Sequence, residues 1–342
     1  MIDRHLRNRY SRQTAFPGIG EAGQEKLGRG TAVVIGCGGL GGNIANLLVR
    51  AGVGKVRIVD RDFIEEHNLQ RQVLFDEDDI KDQLPKAVAA ERHLRKVNSA
   101  IEIEGIVADV NFTNIETFCS GADVILDGLD NAETRFLIND VALKHGIPWV
   151  YGGAVASTGM AMTIIPGETP CYRCITPALP EPGTAPTCET AGVVGTLPAV
   201  IGALQATEAV KILVGGEIKR GLTIIDVWQG SCDNLQLGRR EDCPACHGKY
   251  EFLESRFALK TTSLCGQSRA VQIVNTKVTE IDLAKLAARL RKAGEVSYSE
   301  FMLQFRVDDK EIIVFPDGRA MIKNIIDEAL AKQLYEKYVS AQ

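Results

Sequence analysis

Hydrophobic and polar positions alternate between two periods along most of this chain. Ala32 to Ile35 is a short continuous apolar run of the kind that forms a strand covered on both faces. Ile44 to Arg50 then repeats at helical spacing, with Leu47 and Leu48 on its apolar side, and Gly52 and Gly54 close it. Lys55 to Val59 is a second strand, ending on Asp60. Further strands are predicted at Ile101–Val107, Val124–Asp127, Trp149–Gly153 and Met160–Ile165, and helices at Ala87–Lys96 and Ala132–Lys144. An apolar helix follows residue 192, with Pro198 in its early part and Gln205, Glu208 and Lys211 on its polar side. Strands alternating with helices predict a Rossmann-like α/β fold, a mostly parallel sheet with helices on both faces.

Beyond Tyr250 the pattern changes. Tyr250 to Leu264 has no clear period and reads as a linker. A strand at Ala270–Val274, a helix at Ile281–Lys292, a hairpin of Phe301–Val307 and Glu311–Phe315 through Asp308-Asp309, a strand at Ala320–Lys323 and a helix at Asp327–Val339 follow. The last helix is expected to turn Ala329, Leu330, Leu334 and Tyr338 inward. The expected organisation is a nucleotide-binding domain over residues 1–249, a linker over 250–264 and a small α+β domain over 265–342. That last piece carries no cluster of nucleophiles and is expected to dock a protein.

Composition narrows the class. Apolar residues make up 45% of 342 residues and the net charge is −5, which fits a soluble globular protein and gives no reason to expect nucleic acid or an anionic membrane. No apolar run approaches the ~20 residues of a membrane span. Met1 to Arg12 is polar and Arg-rich, unlike a secretory signal. Nine cysteines without such a signal read as thiols and metal ligands in the cytosol rather than as disulfides.

The chemistry gathers at the first strand–helix–strand unit. Gly36, Gly38 and Gly41 stand in G-x-G-x-x-G register, with Gly39 and Leu40 between them, and Asp60 stands at the tip of the second strand. Loop N–H groups and a helix N-terminus hold a phosphate, and the acid holds a ribose. The glycine motif alone is also met in a plain tight turn; the strand, helix and acid around it favour a nucleotide. After Asp60 comes a polar loop with Asp62, Asn68, Arg71 and Gln72, and Lys86 follows Pro85. A dinucleotide needs little cationic charge beyond the glycine loop, whereas a triphosphate needs cations on its outer phosphates, so Arg71 and Lys86 favour ATP over NAD. Asp130, at another strand's C-terminal edge, suits Mg²⁺; Asn131 suits the N-cap of the next helix.

Cys171-Tyr172-Arg173-Cys174 and Cys243-Pro244-Ala245-Cys246 are two C-x-x-C pairs among turn residues. Two such turns predict a closed Cys₄ zinc site with a structural role; a redox dithiol or a disulfide is the alternative. Cys188 ends the Pro/Gly-rich loop Pro177–Pro186 just before a helix, a setting for either a reactive thiol or an inert one. Cys37, Cys119, Cys232 and Cys265 read as core or incidental.

Arg9-Tyr10-Ser11-Arg12-Gln13, the Gly36–Gly42 loop, Asp60, Asn68-Leu69-Gln70-Arg71-Gln72, Pro85-Lys86, Asp127 with Asp130-Asn131, and the cysteine pairs occur together and in order. In these pieces the chain resembles the ThiF/MoeB/HesA family, adenylyltransferases that activate ubiquitin-like sulfur carrier proteins and share ancestry with ubiquitin-activating enzymes. It is most similar to longer Gram-positive-type members with a C-terminal extension. The resemblance implies that ATP adenylylates the carrier's C-terminal Gly-Gly, releasing pyrophosphate, and that sulfur from a persulfide donor of cysteine desulfurase or rhodanese type then displaces AMP. Thiamine (thiazole) and molybdopterin carriers share this chemistry. It further implies a homodimer, Arg12 on a flexible terminal arm reaching a γ-phosphate across it, and a cysteine at the position of Cys188 whose role varies within the family. Two other classes remain open from the sequence. An NAD-dependent oxidoreductase shares the glycine loop and Asp60, and a non-catalytic scaffold would bind the ubiquitin-like partner without turnover.

Overall fold

The computed structural model describes residues 8–181, 184, 186–188, 190–254, 263–264, 270–273, 281–325 and 327–340. It divides into two compact units, Met1–Phe257 and Ala258–Gln342.

The first unit is built on an eight-stranded sheet: β1 Thr31–Ile35, β2 Lys55–Asp60, β3 Glu102–Val107, β4 Val124–Asp127, β5 Trp149–Val155, β6 Thr158–Ile164, β7 Leu222–Asp226 and β8 Ser231–Leu235, in the order β3-β2-β1-β4-β5-β6-β7-β8. Pairs from β3 to β5 are parallel, and those from β5 to β8 are antiparallel. The expected Rossmann-like sheet is therefore present and mixed. Strands β7 and β8 extend it beyond the sequence reading. Successive side chains on a strand point to opposite faces. Val33 and Ile35 of β1 join a core cluster with Phe136, Ile138 and Val141 of the helix Ala132–His145. Val34 points the other way, 3.3 Å from where a Cβ on Gly41 would sit, which sets the helix Gly39–Ala51 on the opposite face.

The helix Leu197–Val214 is long and apolar enough to cross a membrane by length and composition. In this fold it packs on β4, β5, β6 and the helix Gly39–Ala51. The expected polar side is corrected here: Gln205 and Glu208 are buried. Gln205 Nε2 donates to the carbonyls of Asp127 (2.8 Å) and Val150 (3.1 Å), and Glu208 Oε2 accepts from the Thr163 hydroxyl at 3.1 Å. The water-facing positions of this helix are Val200, Ala203 and Thr207, so Gln205 and Glu208 face the sheet and satisfy strand groups instead. In the helix Gly39–Ala51, Leu48 is fully buried and Leu47 is partly exposed.

The expected linker also needs correction at its start. Phe252 is buried, stacks on Phe136 at 4.6 Å between centroids, and donates its N–H to Asp140 Oδ2 at 2.9 Å. Most of the remaining expected linker, residues 255–262, lies outside the described residues, as does Cys265.

The second unit is a six-stranded antiparallel sheet of β9 Ser263–Leu264, β10 Ala270–Ile273, β11 Glu295–Tyr298, β12 Leu303–Val307, β13 Lys310–Val314 and β14 Ala320–Lys323, ordered β11-β12-β13-β14-β10-β9. The helix Leu283–Leu290 buries Leu283, Leu286 and Leu290 as its spacing predicts. The helix Glu328–Tyr335, continued by a wider turn over Glu336–Ser340, packs Leu334 and Tyr338 against the core as expected, but its most buried positions lie one residue further on. Ala331, Tyr335 and Val339 are buried, while Leu330 is exposed. The Tyr335 hydroxyl donates to Gly318 O at 2.6 Å, a buried bond that fixes this orientation.

Candidate nucleotide site and cysteine cluster

The turn between β1 and the helix Gly39–Ala51 needs glycine for steric reasons. Gly36 has φ +88°, and a Cβ there would meet the Gly128 carbonyl oxygen at 2.7 Å. A Cβ at Gly41 would collide with the Gly36 carbonyl oxygen. The backbone thus closes tightly at the C-terminal ends of β1 and β4, where open α/β sheets bind ligands.

Asp60, at the end of β2, is buried. Its Oδ2 accepts from Cys37 N at 2.6 Å and its Oδ1 from Asp62 N at 2.7 Å. This fixes the glycine turn to the strand, and each oxygen keeps a second lone pair for a hydroxyl donor. Lys86 opens the helix Lys86–Val97 and is buried, with Nζ 3.2 Å from Asp62 Oδ2. Burial works against its charge, but the Asp62, Asp60 and Asp130 carboxylates outweigh burial and raise its pKa above the ordinary value. Burial pushes the Asp60 carboxyl up, and Lys86 and the two N–H donors oppose that rise. The result is a buried cation held charged beside the glycine turn.

The loop after β2 leans on the same turn. Arg71 Cγ lies 3.6 Å from a Cβ built on Gly39, and Gln72 Nε2 lies 3.7 Å from one built on Gly38. Arg71 donates to His67 O at 2.9 Å. Gln72 is buried and its Oε1 has no partner, an orphaned acceptor at the loop. Asn68 is buried and caps its own turn, its Oδ1 accepting from Glu65 N at 3.2 Å. Asp130 is exposed just beyond β4. Asn131 caps the helix Ala132–His145 through Thr134 N at 3.0 Å. The structure therefore gathers Gly36, Gly38, Gly39, Gly41, Asp60, Asp62, Arg71, Gln72, Lys86 and Asp130 around one turn.

Arg12 stands apart. It is exposed on the helix Ser11–Thr14 and has no hydrogen bond or ion pair with this group among the described residues. Its segment is not a free arm. Tyr10 is buried and accepts from Asn98 Nδ2 at 2.9 Å, and Gln13 Nε2 donates to Gln24 Oε1 at 2.6 Å and Ala51 O at 2.8 Å. Cys188 is half-buried, with Sγ 3.3 Å from Ala154 O at the end of β5.

One residue central to the site's architecture was not singled out from sequence. Arg135, whose side chain is 12% exposed, donates to Asp127 Oδ2 at 2.9 Å, Leu129 O at 2.7 Å and Gly152 O at 2.8 Å. Asp127 Oδ1 accepts from Leu129 N at 2.9 Å. Together they fix the β4 exit that carries Asp130. A signal existed: a cation in the first turn of a helix opposes the macrodipole and implies an acidic partner. Gln205, expected on the polar side of its helix, instead ties β4 to β5 from below.

The four paired cysteines converge. Cys171 Sγ is 3.8 Å from Cys174 Sγ, 3.6 Å from Cys243 Sγ and 3.5 Å from Cys246 Sγ, and Cys174 Sγ is 3.7 Å from Cys246 Sγ. A tetrahedron with metal–sulfur bonds of ~2.3 Å has edges of about 3.8 Å, so the cluster could hold such an ion. Burial and then the three neighbouring thiols push Cys171 up. That mutual repulsion is what a dication relieves. Asp76, Asp79 and His93 also converge, but Asp76 and Asp79 cap the helix Glu77–Lys81 and His93 pairs with Asp79 at 2.8 Å. Of the remaining cysteines, Cys37 and Cys119 are buried and Cys232 is exposed.

The ThiF family model matches residues 10–245, which include the whole glycine-turn group and three of the four clustered cysteines. This chain belongs to the ThiF family. A sulfur carrier protein ThiS adenylyltransferase of Bacillus subtilis (strain 168) is 43% identical over 338 residues, 98% of this chain and 100% of that protein. The SAMP-activating enzyme E1 of Haloferax volcanii is 40% identical over 247 residues, 72% of this chain and 90% of that protein. Among solved structures, E. coli MccB with ATP matches with a TM-score of 0.62 at 25% identity, covering 70% of this chain and 75% of that one. The ThiF-family match stops within the first unit, whereas the Bacillus relative continues through the second.

Proposed function

We propose that this protein uses ATP to adenylylate the C-terminal carboxylate of a ubiquitin-like sulfur carrier of the ThiS type. The observation that carries this reading is the buried, charged Lys86 set with Arg71, Gln72 and Asp130 around a glycine turn whose acid, Asp60, still has acceptor capacity. Nicotinamide chemistry leaves that cation, Arg71 and the four clustered thiols without a task.

The triphosphate lies over the Gly36–Gly42 turn, its α-phosphate near the helix N-terminus, and the ribose hydroxyls donate to Asp60. Lys86 and Arg71 neutralise the phosphates, and the Asn68 amide donates a hydrogen bond to them. A carboxylate oxygen of the carrier's terminal glycine attacks the α-phosphorus. The bond from that phosphorus to the bridging oxygen breaks, pyrophosphate carries the electron pair away, and an acyl-adenylate remains. No protein nucleophile is needed, since positioning and charge neutralisation supply the rate. Asp130 would hold Mg²⁺, which supplies further neutralisation of the β- and γ-phosphates. Arg12 serves the γ-phosphate of a partner protomer in a homodimer; its anchored helix makes it a rigid contact there. The Cys171, Cys174, Cys243 and Cys246 cluster holds zinc and ties the β6 exit to the chain after β8. A persulfide sulfur then displaces AMP, and Cys188 stands beside β5 where such an exchange would pass. The setting is the cytosol. The full-length relative, which includes the second unit, favours a ThiS-like carrier over a MoaD-like one.

The test is ATP–pyrophosphate exchange with a ThiS-type carrier. Exchange should require the carrier's Gly-Gly end, and Asp130→Ala should lower it at least ~100-fold with the melting temperature unchanged. Exchange at the wild-type rate in that variant would remove Asp130 from the site.

A further inference from the structure

The segment that carries Arg12 is fastened to one place in the fold, the C-terminal end of the helix Gly39–Ala51. Tyr10 is buried against Gly52, where a Cβ would collide with the Tyr10 ring. Gly52 holds φ +80° and ends that helix. The Tyr10 hydroxyl accepts from Asn98 Nδ2 at 2.9 Å, and the same nitrogen donates to Val49 O at 2.9 Å. Asn98 is fully buried and ends the helix Lys86–Val97. On the other side of Arg12, Gln13 Nε2 donates to Ala51 O at 2.8 Å and to Gln24 Oε1 at 2.6 Å. Gln24 Nε2 donates to Ala51 O at 3.0 Å, and Gln24 is buried. The last carbonyls of a helix have no partner inside it. Here Val49 and Ala51 supply theirs to the side chains that hold Tyr10 and Gln13, and those two residues bracket Arg12.

This anchorage decides which triphosphate Arg12 can meet. The glycine turn lies at the opposite, N-terminal end of the same helix. Over its 13 residues, at ~1.5 Å per step, about 18 Å separates the two ends. A side chain rooted beside Ala51 does not span that distance. Arg12 is exposed, so its guanidinium is presented outward from its own chain. An arginine on a loose arm would have to be ordered each time ATP binds. One held on both sides is already placed, and placement is what a charge-neutralising contact needs.

We propose that Tyr10 and Gln13 are positioning residues for adenylation. By fastening to Asn98, Gln24 and Ala51 they aim Arg12 at the γ-phosphate in a partner protomer's site and keep it from its own. Neither side chain touches substrate; each acts through Arg12. This deepens the adenylation reading and rests on it.

The experiment uses mixed dimers of the full-length enzyme, isolated through two different affinity tags, and reads carrier-dependent ATP–pyrophosphate exchange with a ThiS-type carrier. One protomer carries Lys86→Ala, which disables its site and leaves its Arg12. The other carries Arg12→Ala, which leaves its site intact. Each homodimer should be inactive, and the mixed dimer should recover exchange at its one complete site. Tyr10→Phe with Gln13→Leu is then added to one protomer or the other. On the Lys86→Ala protomer, which supplies Arg12, the pair should lower kcat at least ~10-fold. On the Arg12→Ala protomer it should leave kcat within about twofold. Both mixed dimers contain the same substitutions, so a loss of stability moves both alike, and only positioning separates them. Equal losses in the two, or no loss in either, would overturn the positioning role. A mixed dimer that recovers no exchange, beside an active wild type, would remove the cross-protomer placement of Arg12 and the proposal with it. A wild-type enzyme with no carrier-dependent exchange would instead bring down the adenylation reading itself.

Discussion

Replacing Arg135 by Met tests the architecture behind the site. In the native fold its guanidinium meets Asp127 at 2.9 Å and the carbonyls of Leu129 and Gly152 at 2.7 and 2.8 Å. It also lies over the Tyr151 ring, 5.2 Å from its centroid. Asp127 is wholly buried. Without Arg135 its carboxylate keeps the Leu129 N–H and loses its counter-charge. Removing one partner of a buried ion pair costs about 3–5 kcal/mol. At ~2–4 °C per kcal/mol for a domain of this size, the melting temperature should fall by roughly 6–20 °C. The loss should depend on pH in a definite direction. Burial already raises the Asp127 carboxyl above its ordinary value, with Arg135 opposing the rise. In the variant that opposition is gone, so the folded state takes up a proton at higher pH than the unfolded state does. Between the unfolded value, near 4, and the raised folded value, stability then increases as pH falls. Calorimetric melting at pH 8 and pH 5.5 should show the larger deficit at pH 8. The double variant Asp127→Asn/Arg135→Met, with no charge left to bury, should recover at least half of it. A drop under 2 °C, a deficit independent of pH, or a double variant as unstable as the single would refute this reasoning.

Other consequences are testable in the same way. Cys246→Ser should lower bound zinc well below one ion per chain by atomic absorption and cost the first unit several degrees of melting temperature, because a structural metal contributes directly to folding; full metal with unchanged melting would contradict it. Burial pushes Asp140 from its ordinary 3.8 up to about 6, while the N–H groups of Phe252 and Leu253 oppose the rise. Its ionised form therefore costs up to ~3 kcal/mol at pH 8, a cost that vanishes as pH falls through 6 toward 4. Asp140→Asn should accordingly raise the melting temperature at pH 8 and leave it near wild type at pH 5, and a fall at both would refute the point.

How much was legible follows from where the signal was local. The β1–helix–β2 unit reads directly, because Ala32–Ile35, Gly36–Gly41 and Asp60 each carry their meaning within a few residues. The C-x-x-C pairs read for the same reason, since each turn presets two ligands. Strand β8, Ser231–Leu235, was invisible because it is largely exposed and carries no buried alternation. Gln205 and Glu208 were set on the wrong side because the water-facing positions of the helix Leu197–Val214 are Val200, Ala203 and Thr207, which leaves the two to serve strand carbonyls and the Thr163 hydroxyl. In the last helix Leu334 and Tyr338 read correctly, but Leu330 and Ala331 fit the repeat equally well, and only the Tyr335–Gly318 bond decides between them. The terminal segment read as a loose arm because its anchors, Asn98 and Ala51, are distant in sequence. Arg135 joins the same class, since its partners at Leu129 and Gly152 meet only in the folded sheet.

The central claim is that this pocket transfers AMP to a carrier's terminal carboxylate. Intact-mass analysis of a ThiS-type carrier, incubated with this enzyme, ATP and Mg²⁺ and quenched cold, addresses it directly. The account predicts a carrier heavier by one adenylyl group at its terminal glycine, formed in step with pyrophosphate and absent when the Gly-Gly end is removed. A carrier of unchanged mass, with ATP left intact, would contradict it.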